Sequence, residues 1–266
     1  MVGECHFFIH VILPLFGQNL HTPRVPLLPI PIIINLSTLS NGVSRHTIYD
    51  MRVRGQKKVA VFDVDGTIFR SSLFIQLTEK LIERGNISAH MHKAYRREQD
   101  KWVNREGTYD EYIEAMVRAS EKYFKGVYYG DFRDAAKQVV DAQWKRVYRY
   151  TRGLIKDLKA RDYFLLAVSH SPKTILDFFC PRLGFDKVYG VIYQIGPSDC
   201  LTGKVEDEHI IFNKANSLKR AIEKEGLSLK GSIGVGDSES DIPFLEMVSN
   251  AVCFNPSSKL YRHAKR

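Results

Sequence analysis

The sequence predicts an α/β protein with a Rossmann-like parallel sheet and an inserted helical cap subdomain. Two observations support this fold class. From Lys57 onward, short β-rich runs alternate with amphipathic helical segments, which is the pattern of a parallel sheet covered by helices. One long stretch, residues 75–158, shows helical periodicity only, so we expect it to form a cap inserted into the sheet topology.

Residues 1–50 differ in composition from the rest of the chain. Few of them are charged, and five prolines interrupt their apolar runs. The longest run, residues 7–16, is too short to span a bilayer, and it lacks the preceding basic stretch of a secretory signal. We therefore expect residues 1–50 to be a disordered or non-native extension upstream of a start at Met51.

The first predicted unit is a strand, a turn and a helix. Residues 57–62 form a short β-rich run. Residues 72–84 place Leu73, Leu77 and Leu81 on one helical face, and the helix is expected to end at Gly85. This unit opens a catalytic core that we assign to residues 51–74 and 159–266.

The predicted cap is rich in aromatic and basic residues. Helices are expected over residues 93–102, from the capping box formed by Thr108 and Glu111, and over residues 131–147. Most of the aromatic side chains should pack between these helices.

The remaining elements again alternate. The second strand, residues 163–169, is followed by a helix with Pro172 in its first turn, and Gly226 ends a later helix. A further helix begins near Asp241. The other predicted strands and helices cover residues 188–195, 201–205, 213–225, 232–235 and 250–254.

Polar residues follow several of these strands, at the sheet edge where parallel sheets bind ligands. Converging carboxylates repel each other, and a divalent cation is the usual way to hold them ionised together. Oxygen ligands favour Mg²⁺ over zinc. The clusters are Asp63 with Asp65, Ser169 with His170 and Ser171, Lys214, and Asp237 with Asp241.

A phosphoryl group is the natural substrate for such a site. A carboxylate held by a metal can attack phosphorus, while the metal and a lysine neutralise the phosphoryl oxygens. Asp63 is then the nucleophile, and Asp65 lies close enough to act as acid and base. Gly66 permits an unusual backbone in the turn, and Thr67 offers a hydroxyl and an N–H to the same phosphate.

The motifs FDVDGT, AVSHS, Lys214 and GVGDSESD, in this order, resemble those of the haloacid dehalogenase-like superfamily. The segments LTGKV, GDSESDIPFLE and CFNPSSKL look like those of subfamily IB, which includes the phosphoserine phosphatases. The resemblance covers residues 57–266. It implies a Mg²⁺-dependent phosphatase that hydrolyses a phosphomonoester of a small metabolite through an aspartyl phosphate.

The resemblance also implies individual roles at the metal site. Asp63 would be nucleophile and metal ligand, and Asp65 would be acid and base and give the metal its backbone carbonyl. Asp237 would bind the metal directly, with Asp241 supporting it.

Phosphate binding is expected from Thr67, Ser169, His170 and Lys214. Three of these assignments have alternatives. Ser169 could cap the helix that follows it, Lys204 competes for the role of Lys214, and His170 could be a surface-facing side chain.

The substrate is expected to differ from phosphoserine. Phosphoserine phosphatases carry an acid and an arginine among glycines in the cap, and residues 75–158 lack that pattern. The cap is instead aromatic and basic, which suggests a substrate with a further anionic or planar group. The basic residues that suggest it are Arg96, Arg97, Arg105, Arg146, Arg149 and Arg152.

Two other functions are compatible with the same site residues or with the net charge of the chain. A phosphomutase or phosphotransferase would pass the phosphoryl group to a sugar or alcohol. A non-catalytic basic protein would bind nucleic acid or an anionic membrane, since the net charge is +9. The retained site argues against that function, so we expect a small-molecule phosphate ester as partner and neither nucleic acid nor membrane. The four cysteines show no paired or metal spacing, which fits a reducing, cytoplasmic location.

Overall fold

The computed structural model describes residues 8–12 and 56–265. Its strands are β1 (Phe8–Ile12), β2 (Lys58–Phe62), β3 (Phe164–Pro172), β4 (Lys187–Ile195), β5 (Leu201–Glu206), β6 (Ser228–Gly236) and β7 (Asn250–Phe254). Its helices are α1 (Leu73–Glu83), α2 (Met91–Val103), α3 (Tyr109–Tyr123), α4 (Tyr129–Gln143), α5 (Arg149–Ala160), α6 (Lys173–Phe179), α7 (Glu208–Ile211), α8 (Lys214–Glu225), α9 (Ile242–Leu245) and α10 (Ser258–Ala264).

The described strands form one sheet in the order β1-β7-β6-β2-β3-β4-β5. All neighbouring strands pair in parallel except β4 and β5, which pair antiparallel. The predicted α/β class is therefore confirmed, and the sheet differs from the predicted parallel one only at the pair of β4 and β5. Because β2 lies between β6 and β3, the polar residues that follow these three strands meet at one edge of the sheet.

The central strand β2 is buried on both faces. Val59 and Val61 pack into an apolar layer with helix α8, whereas Ala60 and Phe62 face the layer that contains α1 and α6. Parallel strands covered on both faces are apolar throughout rather than alternating, which explains the unbroken run before Asp63.

Strand β1 lies within the segment that we expected to be an extension. Residues 8–12 pair in parallel with β7, from Phe8 opposite Asn250 to Ile12 opposite Phe254. The other residues of that segment lie outside the described residues. The proposed division of the chain into extension, core and cap remains a prediction.

Between β2 and β3 the described chain forms five helices, α1 to α5, and no strand of the sheet. Helix α3 begins with the predicted capping box, in which Thr108 and Glu111 bond reciprocally. Helix α5 was not identified in the sequence.

Helix α4 ends at Gln143, four residues before the predicted end. The chain there leaves the helix to bond with the segment after β2. Arg70 N–H donates to Arg146 O, and Tyr148 N–H donates to Ile68 O, both at 2.9 Å. These backbone hydrogen bonds tie the end of the helical segment to the turn that follows Asp63 and Asp65.

Among the described residues, no helix has the length and apolar character needed to cross a membrane.

Candidate active site

Asp63 lies at the carboxyl end of β2, where residues of strand β6 and helix α8 hydrogen-bond to it. Its N–H donates to Val235 O at 2.9 Å, which fixes the backbone against β6. The residue is 3% exposed. The Oδ1 atom accepts a hydrogen bond from Lys214 Nζ at 2.6 Å, whereas Oδ2 is buried and has no partner among the described residues. One carboxylate oxygen thus remains for a ligand that the described residues do not supply.

Lys214 links two of the predicted site residues. It opens helix α8, whose N-cap is Asn213, and its Nζ lies 2.6 Å from both Asp63 Oδ1 and Asp241 Oδ1. Its side chain is buried, and the two carboxylates raise its pKa, against the lowering effect of burial. Lys204, the alternative, is exposed on β5. The structure therefore brings Lys214 to Asp63.

Three donors orient Asp65. Oδ1 accepts from the backbone N–H of Leu73 at 2.6 Å, and Oδ2 accepts from the hydroxyls of Ser169 and Ser171, each at 2.7 Å. The alternative role of Ser169 as a helix cap is wrong, because α6 has Pro172 at its N-cap and no side-chain cap bond. No role was predicted for Ser171, although its position two residues after Ser169 on the same strand face could have suggested one.

The acidic loop after β6 completes the cluster. Asp241 uses both oxygens within the protein: Oδ1 accepts from Lys214, and Oδ2 accepts from the N–H groups of Asp237 and Ser238, each at 2.9 Å. Asp237 Oδ1 accepts from the buried Thr67 hydroxyl at 2.9 Å. The Thr67 side chain thus holds a carboxylate, and its predicted contact with phosphate remains a prediction.

Gly66 is required where the two acidic loops approach. Its φ is +84°, a left-handed conformation, and a Cβ there would lie 2.3 Å from Asp237 Oδ2. A side chain at this position would push Asp237 away from Asp63.

The packing of these acids disfavours their ionised forms. Burial raises the pKa of Asp63 to about 7; Lys214 acts in the opposite direction, and Asp241 and Asp65 add to the increase. Burial, followed by the charges of Asp63 and Asp241, raises the pKa of Asp237 well above its usual value. Burial also raises the pKa of Asp65, although its three hydrogen bonds oppose this.

The carboxylates fit a divalent cation. Oxygens of Asp63, Asp237 and Asp241 lie within 4.8 Å of one another. Because both oxygens of Asp241 accept hydrogen bonds from protein groups, Asp63 and Asp237 are the better direct ligands. Asp241 would support the metal site without binding the metal. The unpartnered Oδ2 of Asp63 and the all-oxygen donor set are suited to Mg²⁺.

His170 and Tyr109 also line the catalytic pocket. His170 is half-buried and its Nε2 atom is buried, and burial and Lys214 lower its pKa to about 4. Tyr109, from the start of α3, was not identified in the sequence as a site residue. Burial and the charge of Asp65 raise its pKa, and it contacts the rings of Trp102 and Tyr112.

The arginines that suggested an anionic substrate lie elsewhere. They occupy exposed positions, and none lines the catalytic pocket or the larger cleft beside it. They are Arg96, Arg97, Arg105, Arg146, Arg149 and Arg152. These six arginines therefore give no information about what binds near Asp63, whereas two other basic residues of the helical segment, Arg118 and Lys125, line the cleft.

This chain is similar to several known proteins. The family model described as haloacid dehalogenase-like hydrolase matches residues 60–246. A relative from Streptomyces azureus, "Inhibition of morphological differentiation protein", is 25% identical over 230 residues, covering 84% of this chain and 78% of that protein. A phosphoserine phosphatase from Archaeoglobus fulgidus is 24% identical over 209 residues, covering 77% of this chain and 54% of that protein.

The fold has a solved counterpart. The structure of a phospho-aspartyl intermediate analogue of phosphoserine phosphatase aligns with a TM-score of 0.54 at 20% identity, covering 78% of this chain and 90% of that one. The family model spans the strands and loops that carry Asp63, Asp65, Ser169, Lys214 and Asp237. The chain therefore belongs to the haloacid dehalogenase-like hydrolase family, as its motifs predicted.

Proposed function

We propose that this protein is a Mg²⁺-dependent phosphatase that hydrolyses a phosphomonoester of a small metabolite through an aspartyl phosphate on Asp63. The observation that carries the proposal is the environment of that carboxylate. Asp63 is buried beside Lys214 and two further acids, yet its Oδ2 has no partner among the described residues. A purely structural acid would have that oxygen satisfied.

In the first step, an Asp63 carboxylate oxygen attacks phosphorus and the bond from phosphorus to the ester oxygen breaks. Asp65 gives its proton to the departing alkoxide, so the alcohol leaves neutral. The raised pKa of Asp65 suits it to carry that proton. Lys214 offsets the negative charge of Asp63 and is placed to neutralise the phosphoryl oxygens.

In the second step, water attacks phosphorus of the aspartyl phosphate. Asp65, now a carboxylate, takes a proton from that water, and the bond from phosphorus to Asp63 breaks to release inorganic phosphate. The hydroxyls of Ser169 and Ser171 keep the Asp65 carboxylate in place between the steps.

Asp63, Asp237 and the backbone carbonyl of Asp65 would hold the Mg²⁺ ion, with Asp241 supporting them. When bound, Mg²⁺ offsets the charge of the carboxylates and of the phosphoryl oxygens.

The test is hydrolysis of p-nitrophenyl phosphate and a panel of metabolite phosphates, with Mg²⁺ and with EDTA. We expect Mg²⁺-dependent release of phosphate by the wild type and a loss of at least about a thousandfold in Asp63→Asn. Asp134→Asn, which alters an exposed carboxylate on α4, is the matched control and should keep full activity.

Two results would count against hydrolysis through Asp63. Turnover that survives in Asp63→Asn would exclude the aspartyl phosphate. Transfer of phosphate to an added sugar or alcohol, in place of release, would favour the phosphotransferase alternative.

A further inference from the structure

A cleft of about 950 Å³ opens directly from the catalytic pocket. It lies between helix α3 on one side and strands β4 and β5 on the other. The catalytic pocket itself offers only about 80 Å³. A phosphoryl group can occupy the small pocket, so the rest of a substrate must extend into the cleft.

The junction between the two spaces carries no charge. The residues that line both are Phe74, Ile113, Val117, His170 and Ser240. Three of the five are apolar, and the lowered pKa of His170 keeps its imidazole neutral near pH 7. The part of the substrate that lies next to the ester oxygen therefore meets uncharged side chains.

This junction is unsuited to phosphoserine. The ammonium and carboxylate of serine lie within a few bonds of the ester oxygen, so both would enter the junction. Burying charges without partners is strongly unfavourable. Val191 and Phe212 also line the cleft, and Phe212 is 47% exposed with its ring beside that of His170. Six charged residues also line the cleft, and they are Glu114, Arg118, Glu121, Lys125, Lys204 and Glu239.

We propose that this cleft binds the alcohol portion of the phosphomonoester, and that the part of it that passes the junction is an uncharged apolar group larger than an amino-acid side chain. The proposal rests on the proposed phosphatase function and specifies its substrate class. An aromatic ring and an aliphatic chain share the required chemistry, and the substrates below distinguish them.

The experiment compares kcat/KM for three matched pairs. The first pair is phosphoserine and propyl phosphate, which has the same three-carbon backbone without the charges. The second pair is propyl phosphate and hexyl phosphate, which has a longer chain. The third, aromatic pair is phenyl phosphate and 1-naphthyl phosphate. Each methylene that leaves water for an apolar site contributes roughly three- to fourfold. Because the cleft is open on one side, we expect kcat/KM to be about tenfold or more higher for hexyl than for propyl phosphate, for naphthyl than for phenyl phosphate, or in both pairs. The kcat/KM for propyl phosphate should exceed that for phosphoserine.

Two variants locate the effect. Val117→Asp places a charge at the junction and should lower kcat/KM for the preferred large ester by at least about tenfold, whereas Val103→Asp, on an exposed valine of α2, should not. Phe212→Ala removes a half-exposed ring, which the fold should tolerate, and should reduce the preference for the larger ester.

Equal kcat/KM values within both size pairs, or a preference for phosphoserine, would overturn the proposal while leaving the phosphatase function intact. If no ester is turned over, the phosphatase function fails, and the same pairs are then measured by calorimetric binding to the Asp63→Asn protein. Tighter binding of the larger esters would support the cleft, and equal binding would overturn it.

Discussion

Ser171 Oγ lies 2.7 Å from Asp65 Oδ2, and the same hydroxyl accepts a hydrogen bond from the N–H of Phe74 at 2.9 Å. One buried side chain at the end of β3 therefore holds both the acid turn after β2 and the first turn of α1. Leu73 N–H, one residue earlier, donates to Asp65 Oδ1. The orientation of Asp65 is thus set by two segments, the start of α1 and the end of β3, which are 97 residues apart at Phe74 and Ser171.

Ser171→Ala is expected to lower both stability and turnover. The change removes a donor from Asp65 and leaves the N–H of Phe74 unpaired in a buried position. An unsatisfied buried group costs about 1–3 kcal/mol, so the free energy of unfolding in urea should fall by roughly that amount. Loss of orientation at Asp65 should lower kcat, measured on the best substrate of the panel.

Thr78→Val provides the control for Ser171→Ala. Thr78 also carries a fully buried hydroxyl, but that hydroxyl has no hydrogen-bond partner among the described residues. Replacing it with a methyl group of similar volume should leave stability unchanged or increase it. Equal losses of stability in the two variants would contradict the role of the Ser171 hydrogen bonds.

Lys214→Met is expected to destabilise the protein strongly in the absence of divalent metal. Lys214 is 2% exposed and bonds to both Asp63 and Asp241, so its removal leaves two buried carboxylates without their cation. Breaking a buried ion pair in this way costs about 3–5 kcal/mol. Urea unfolding in EDTA measures the loss.

The same substitution at Lys204, which is exposed on β5, is the matched control. Lys204→Met should change the free energy of unfolding by less than about 0.5 kcal/mol. A Lys214→Met protein as stable as Lys204→Met would show that the buried pair contributes little.

Much of the sheet and the site could be predicted from the sequence because the signals are local. The apolar run before Asp63 and Asp65 predicts a buried strand with acids at its end, and parallel pairing then brings those acids to the loop that contains Asp237. Helix caps such as Ser72 and the capping box at Thr108 are likewise encoded within a few residues.

The remaining features depend on tertiary contacts. Nothing near Gln143 in sequence ends helix α4, because the bonds that replace the helix come from Ile68 and Arg70. Tyr109 looks like an ordinary helix-packing aromatic, and its place beside Asp65 follows from how α3 lies over the pocket.

Asp237→Asn should abolish stabilisation by Mg²⁺. A ligand that binds only the folded protein stabilises it by about 2.7 kcal/mol at a hundredfold excess over its Kd. We expect the Tm of the wild type to rise with Mg²⁺, and that of Asp237→Asn to respond little. Glu206→Gln alters an exposed acid on β5 and should keep the wild-type response. An unchanged Mg²⁺ response in Asp237→Asn would place the metal elsewhere.

His170 should make the protein less stable as the pH falls from about 6.5 to about 4. Burial and the charge of Lys214 lower its pKa to about 4 in the folded protein, although Asp241 acts in the opposite direction. Between these values the unfolded chain binds the proton and the folded chain does not, so protonation favours unfolding. The free energy of unfolding that is lost through protonation of His170 amounts to at most about 3 kcal/mol, and none of it is lost above pH 6.5.

The His170→Phe variant isolates this contribution. Its imidazole Nε2 has no partner among the described residues, so a phenyl ring beside Phe212 should be accommodated at the loss of one hydrogen bond, to the backbone of Ile211. Urea unfolding at a series of pH values should show a shallower loss of stability below pH 6.5 in the variant than in the wild type. The buried acids titrate in both proteins, so the difference between the two curves belongs to His170. His90→Phe, at an exposed position, should follow the wild-type curve, and a His170→Phe curve that also follows it would rule out a buried neutral imidazole.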